Sequence, residues 1–205
     1  MTVNGAPSHT AVKPLTEPVR RPHRCPWWAG HLLASPLRRW LEDPEKLLAP
    51  LVQPGMTVLD LGSAMGFFAL PVARLVGENG RVICIDVEPR MIDGLRRRAR
   101  RAGLSERIET VVCDEGDLGL AGRDGTLDLA LAIHVLHELS DIASALRQTA
   151  SALKEQGRLL VVEPKGHVSA EMFACELSAA RLAGFSLERC WPLWRRHVAL
   201  LKKKP

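Results

Sequence analysis

No stretch of this chain approaches the roughly 20 consecutive apolar residues that a membrane-spanning helix needs, and the first 24 residues lack the short apolar core of a secretory signal. Both absences lead to the expectation of a cytoplasmic protein. The five cysteines, Cys25, Cys84, Cys113, Cys175 and Cys190, are odd in number, widely spaced and free of any CxxC pair. That pattern argues against a disulfide framework and against a structural zinc site. No lysine lies between Lys46 and Lys154, which removes a phosphate-cradling loop ending in Gly-Lys-Ser/Thr from the glycine-bearing middle of the chain. Internal repeats, low-complexity tracts and a recognisable RNA-binding module are missing too.

What is present fits one globular domain with a core: 205 residues, 46% apolar and 25% charged. A formal charge of +5 favours an anionic partner only where the cations cluster. The densest run is Arg96, Arg97, Arg98, Arg100 and Arg101, expected on the solvent face of a helix whose apolar stripe is Met91, Leu95, Ala99 and Ala102. Nucleic acid is therefore not the expected partner.

Residues 1–24 mix Pro, Ser, Thr and Arg without periodicity and are expected to form a flexible tail. Residues 25–54 repeat apolar positions at helical spacing (Leu32, Leu33, Leu37, Trp40, Leu41) and suggest a helical cap broken at Pro36 and Pro44. From residue 55 to 205, strand and helix patterns alternate, the signature of an open, largely parallel α/β sheet. The strand candidates are 57–62, 81–86, 108–113, 127–133 and 157–163, nearly continuous in apolar residues as buried strands are. Helices are expected over 67–76, 89–102, 141–154 and 169–183, and the segments LERCW and HVALL supply two final strands.

The sharpest local signal is VLDLGSAMGFF, where Asp60 ends a buried strand and Gly62, Ala64 and Gly66 follow at alternate positions before a helix. Small residues in such a turn let a ligand approach the backbone. A dinucleotide fingerprint fits poorly, because Ala64 and Phe67 stand where the second and third glycines belong. A second strand ends at Asp86, 24 positions after Gly62, where a carboxylate can accept from both hydroxyls of a ribose or cap the helix starting near Pro89. The third strand closes on Cys113, Asp114 and Glu115.

These features resemble the class I methyltransferases that use S-adenosylmethionine (SAM), nearest to the small-molecule enzymes of the ubiquinone-biosynthesis type. The resemblance covers roughly residues 50–165. It implies a three-layer, Rossmann-like α/β fold with a mostly parallel seven-stranded sheet in the order 3-2-1-4-5-7-6. It also implies SAM as cofactor, S-adenosylhomocysteine as product and a small-molecule acceptor, and it leaves room for a homodimer. By the same resemblance Asp60, Gly62, Ser63, Ala64, Gly66 and Phe67 lie around the methionine part of the cofactor, Asp86 and Val87 at the ribose and adenine, Asp114 at the adenine amine with Glu115 and Asp117 as rivals, and His134 at the mouth of the site.

His134, His137 and Glu138 invite a metal reading, but a zinc site needs a further protein ligand and the spacing is not His-Glu-x-x-His, so no metal is expected. Methyl transfer from a sulfonium releases a neutral thioether, so positioning does most of the work; only an acceptor that must lose a proton needs a base. A histidine titrates at roughly 6.5, which makes His167 and His134 the catalytic candidates. Lys165 and Cys25 are further candidates near the acceptor. Trp27 and Trp28 either wall a planar acceptor or pack the cap onto the sheet. An RNA methyltransferase and a non-catalytic SAM-binding scaffold are the alternatives.

Overall fold

A computed structural model describes residues 42–191 and 193–205. The expected tail, the cap as far as residue 41, and Cys25, Trp27 and Trp28 lie outside the described residues.

The first described helix, α1 (Pro44–Leu48), starts where the proline can still be tolerated, at its first position, with the Asp43 carboxylate accepting from the N–H groups of Glu45 and Lys46. Then follow β1 (Thr57–Leu61), α2 (Ala69–Leu75), β2 (Arg81–Asp86), α3 (Pro89–Arg101), β3 (Ile108–Val112), β4 (Leu127–Ile133), a 3₁₀ turn (Leu136–Glu138), α4 (Ile142–Ala152), β5 (Leu153–Pro164), α5 (Ala170–Leu182), β6 (Phe185–Cys190) and β7 (Arg196–Lys203). The seven strands form one sheet in the order β3-β2-β1-β4-β5-β7-β6, as the resemblance implied. Only the β5–β7 and β6–β7 pairings are antiparallel.

Side chains alternate across the strands and fill two cores. Leu59, Ile83, Ala130 and Val161 pack with Leu146, Phe173 and Phe185 on one face. Val58, Val82, Leu131 and Val162 pack on the other with Leu48, Val72 and Leu95. A sheet covered on both faces requires the continuous apolar runs seen in the sequence. Leu48, Leu51 and Val52 belong to the second core, so the chain is already part of the domain before β1.

Two differences from expectation have local causes. Strand β5 begins at Leu153 rather than 157, because Leu153 pairs with Leu127 and the chain absorbs the irregularity at Gln156, whose φ is +64°. The cap of α3 is Glu88, whose carboxylate accepts from the Arg90 N–H, so Asp86 is not needed there. At the end of the sheet opposite the site, Asp128 accepts from the Thr57 N–H at 2.8 Å and pairs with Lys154 at 2.6 Å, joining β1, β4 and the start of β5.

Candidate active site

Because β1, β2, β4 and β5 run parallel, their carboxyl ends share one edge, where open α/β sheets place ligands. A cleft of about 520 Å³ opens there, within the roughly 300–1,000 Å³ usual for small-molecule sites. Its floor is the turn after β1. Gly62 has φ +68°, and a Cβ on it would lie 2.5 Å from the Val135 side chain; Gly66 has φ +78°, and a Cβ there would meet Leu95 at 2.2 Å. Both glycines are thus demanded by the protein's own packing, and Gly62, which lines the cleft, by ligand approach as well. Ala64, at the middle position, adopts φ +46°, a left-handed conformation that costs a residue with a Cβ about 1–2 kcal/mol. The Asp86 carboxylate holds it: one oxygen accepts from the Ala64 N–H at 2.8 Å and the other from the Glu88 N–H at 2.9 Å. The Val87 N–H is a third backbone donor to this carboxylate, which has about four acceptor sites in all and so keeps room for a ligand hydroxyl. From the other side the Arg98 guanidinium donates to the Met65 carbonyl.

Asp60 is buried at the end of β1, and among the described residues one of its carboxylate oxygens and the Ser63 hydroxyl find no hydrogen-bond partner. Burial, with the charge of Asp86 beside it, pushes the Asp60 carboxyl up to about 7. A buried polar atom left unpaired in a cleft is costly unless a ligand group completes it. Burial likewise raises Asp86 above the usual carboxylate range, against the pull of its backbone hydrogen bonds. An adenosyl cofactor with an ammonium group at one end and ribose hydroxyls in the middle fits this donor set.

The wall toward β4 and β5 is built differently. His134 leaves β4 with φ +59°, its N–H donating to the Val162 carbonyl at 2.7 Å. Its ring meets Phe68 edge-on, and its Nε2 stands 3.7 Å from Glu42, which pairs with Arg196 at 3.1 Å. Three residues on, the His137 Nδ1 lies 2.5 Å from Glu163, a fully buried carboxylate at the end of β5 that also accepts from the Leu136 N–H at 2.8 Å. His167 places its ring 5.8 Å from that of His137. Behind them Glu176 of α5 is buried, and desolvation together with the charge of Glu163 raises it to about 8.

A family described as a methyltransferase domain matches residues 52–194. The chain belongs to that family. The ubiquinone/menaquinone biosynthesis C-methyltransferase UbiE of Klebsiella pneumoniae is 37% identical over 112 residues, 55% of this chain and 44% of that protein. The Escherichia coli protein of the same name is 35% identical over the same share. The chain thus spans under half the length of the curated relatives it matches. A SAM-dependent methyltransferase from Aquifex aeolicus superposes with a TM-score of 0.80 at 26% identity, covering 88% of this chain and all of that one.

Of the residues singled out in the sequence, this methyltransferase domain brings Asp60, Gly62, Ser63, Ala64, Phe67, Asp86, Val87, Asp114, Glu115, His134 and His167 into the cleft lining. Gly66 stands behind the turn against Leu95, and Lys165 is exposed outside the lining. Asp117 turns back on its own loop, accepting from the Gly119 N–H at 2.8 Å. Cys113 is partly buried, packing against the first core while lining the cleft, and its thiol is pushed up to about 11 by burial and by Asp86. Arg98 leaves the solvent face for Met65, while Arg96, Arg97, Arg100 and Arg101 remain exposed. The sequence reading did not single out the pairing of His137 with Glu163. An acid at the end of the run LLVVE is a signal for it, since a carboxylate so placed is buried and must find a partner.

Proposed function

We propose that this chain transfers a methyl group from SAM to a small-molecule acceptor. The observation that carries the reading is the turn after β1, with the Asp86 carboxylate locking Ala64 and the unpaired oxygen of Asp60 facing the same cleft. Asp86 would hold the ribose hydroxyls, Val87 and Asp114 or Glu115 the adenine, and Asp60 with the Gly62–Ala64 backbone the methionine end. SAM supplies an electrophilic methyl group on a sulfonium. The protein's part is to orient acceptor and methyl group in line and to keep water out. Names of relatives support a carbon centre in a small molecule as the acceptor class.

Free Cys84, Cys113, Cys175 and Cys190 suit a cytoplasmic setting, and no helix among the described residues is long and apolar enough to cross a membrane. Glu42 reaches the cleft mouth at His134, so the segment before it, with Cys25, Trp27 and Trp28, is proposed to wall the acceptor.

Calorimetric titration with SAM and S-adenosylhomocysteine tests the first half, and radiolabelled methyl transfer to extracted metabolites, with RNA as a parallel arm, tests the second. Binding and labelling of the metabolite fraction alone are expected. Absence of affinity for both cofactor forms ends the reading, and label confined to RNA replaces the acceptor class.

A further inference from the structure

We propose that His137, oriented by Glu163, is the general base that removes a proton from the methyl acceptor. This rests on the SAM-dependent reading above and narrows its acceptor to groups that must lose a proton.

The geometry is that of an oriented imidazole. One Glu163 oxygen is pinned by the Leu136 N–H at 2.8 Å, and the other meets His137 Nδ1 at 2.5 Å. A carboxylate can only accept, so Nδ1 carries the proton and the neutral ring presents its lone pair at Nε2. The nearest acid to Nε2 is Glu138 at 4.0 Å, too far for a hydrogen bond. The ring lines the cleft that also holds Asp86 and Asp60.

Charged and titratable groups surround the ring from every neighbouring element: Glu138 on its own turn, Glu163 from β5, Glu176 from α5, and His167 from the loop after β5, with His197 of β7 opposite Glu163 in the sheet register. Burial disfavours the charged ring, but the bond to Glu163 and the charges of Glu163, Glu138 and Glu176 outweigh it, so His137 titrates above the ordinary histidine value. Such a ring takes up a proton readily, and its base form grows as pH rises through that value. His134 has its Nε2 3.7 Å from Glu42, and His167 is exposed.

In the step, an acceptor O–H, S–H or activated C–H gives its proton to Nε2 while the freed electron pair bonds to the methyl carbon. The pair of the breaking carbon–sulfur bond stays on sulfur as a neutral thioether. The proton on Nε2 then passes to solvent water. Tertiary amines and thioethers have no proton to give and gain nothing from this device.

The test uses the full chain. Proton NMR titration of the histidine rings is expected to show one ring titrating above the others, absent in His137→Gln and lowered in Glu163→Gln. In the latter an amide can still accept from Leu136 but donates to Nδ1, moving the ring proton to Nε2. Methyl transfer is then measured on phenols graded in acidity from 4-methoxyphenol to 4-nitrophenol, on thiols and 1,3-diketones, and on a tertiary amine and a thioether. His137→Gln should lose on the order of a hundredfold or more in kcat on 4-methoxyphenol and about tenfold or less on 4-nitrophenol, which is ionised without help. Glu163→Gln should also lose kcat on 4-methoxyphenol more than on 4-nitrophenol, because its neutral ring carries the proton on Nε2, and the acidic limb of whatever activity remains should lie at lower pH.

Equal losses along the acidity series, an unmoved ring titration, transfer confined to the amine and thioether, or no transfer to any of these acceptors overturns the proposal. Calorimetry with S-adenosylhomocysteine separates the two failures: lost binding in the native protein ends the cofactor reading, whereas intact binding with any of those outcomes ends only this one. Glu163→Gln keeps the test open if His137→Gln does not fold.

Discussion

The two walls of the cleft are made by different means. On the β1–β2 side, backbone N–H groups of a tight turn are tied by one carboxylate, Asp86, and the turn is wedged between Val135 and Leu95. On the β4–β5 side, side chains do the tying: Glu42 to Arg196 and His134, and Glu163 to His137. A backbone cradle accepts one shape and tolerates little change, whereas a wall of side chains can be retuned without disturbing the fold. A domain that keeps its cofactor and varies its acceptor is served by that division. Each side nevertheless carries one buried acid raised toward neutrality, Asp60 at about 7 and Glu176 at about 8.

The contrast is broken most directly by Gly62→Val, which combines a left-handed φ with overlap against Val135. It is expected to destabilise the fold by about 3 kcal/mol or more and to abolish cofactor binding, read by thermal unfolding and calorimetry. Asp86→Ala should weaken SAM affinity by about ten- to a hundredfold, since a charged hydrogen bond contributes roughly 1.5–3 kcal/mol; unchanged affinity in calorimetry would remove the ribose role. The two buried acids sharpen the comparison through pH. A carboxyl whose pKa is raised by folding holds its proton more tightly in the native state, so stability is greatest below its unfolded value and declines as pH climbs through the folded one. For Asp60 that decline runs from about 4 to about 7, and for Glu176 on to about 8. Asp60→Asn and Glu176→Gln should each flatten the fall in melting temperature between pH 5 and pH 8.5 in the ligand-free protein, and only the first should weaken SAM binding. The smallest effect is expected of Ala64→Gly, a gain of up to about 1 kcal/mol from relieved backbone strain, with the cofactor affinity kept.

The β1–β2 wall was legible in the sequence because its determinants are local. Small residues at alternate positions and an acid at the end of the next strand are short-range demands of backbone geometry, and the strand order followed from the resemblance they carried. The β4–β5 wall was legible only in part. His134 and His167 stand out as histidines at strand ends, but His137 acquires its partner from a residue 26 positions on, across a strand boundary. Nothing in HVLHEL announces that pairing. Glu176 was within reach, since it falls between Phe173 and Ala180 on the buried stripe of α5, where an acid is out of place. Arg98 escaped because one residue in a basic run reached back to a loop carbonyl, which only the crossing of α3 over the β1 turn decides.

Strand β7 bears on how this molecule is made. Residues 196–203 come last in sequence among the seven strands of the sheet, yet they sit between β5 and β6 rather than at the rim. As a nascent chain leaves the ribosome, β1, β2 and β4 can pair while β5 still shows an open edge from Leu159 to Glu163, waiting for its neighbour. The β1–β2 side of the pocket can therefore assemble before residues 196–203 emerge, and the Glu163 end is completed only with them.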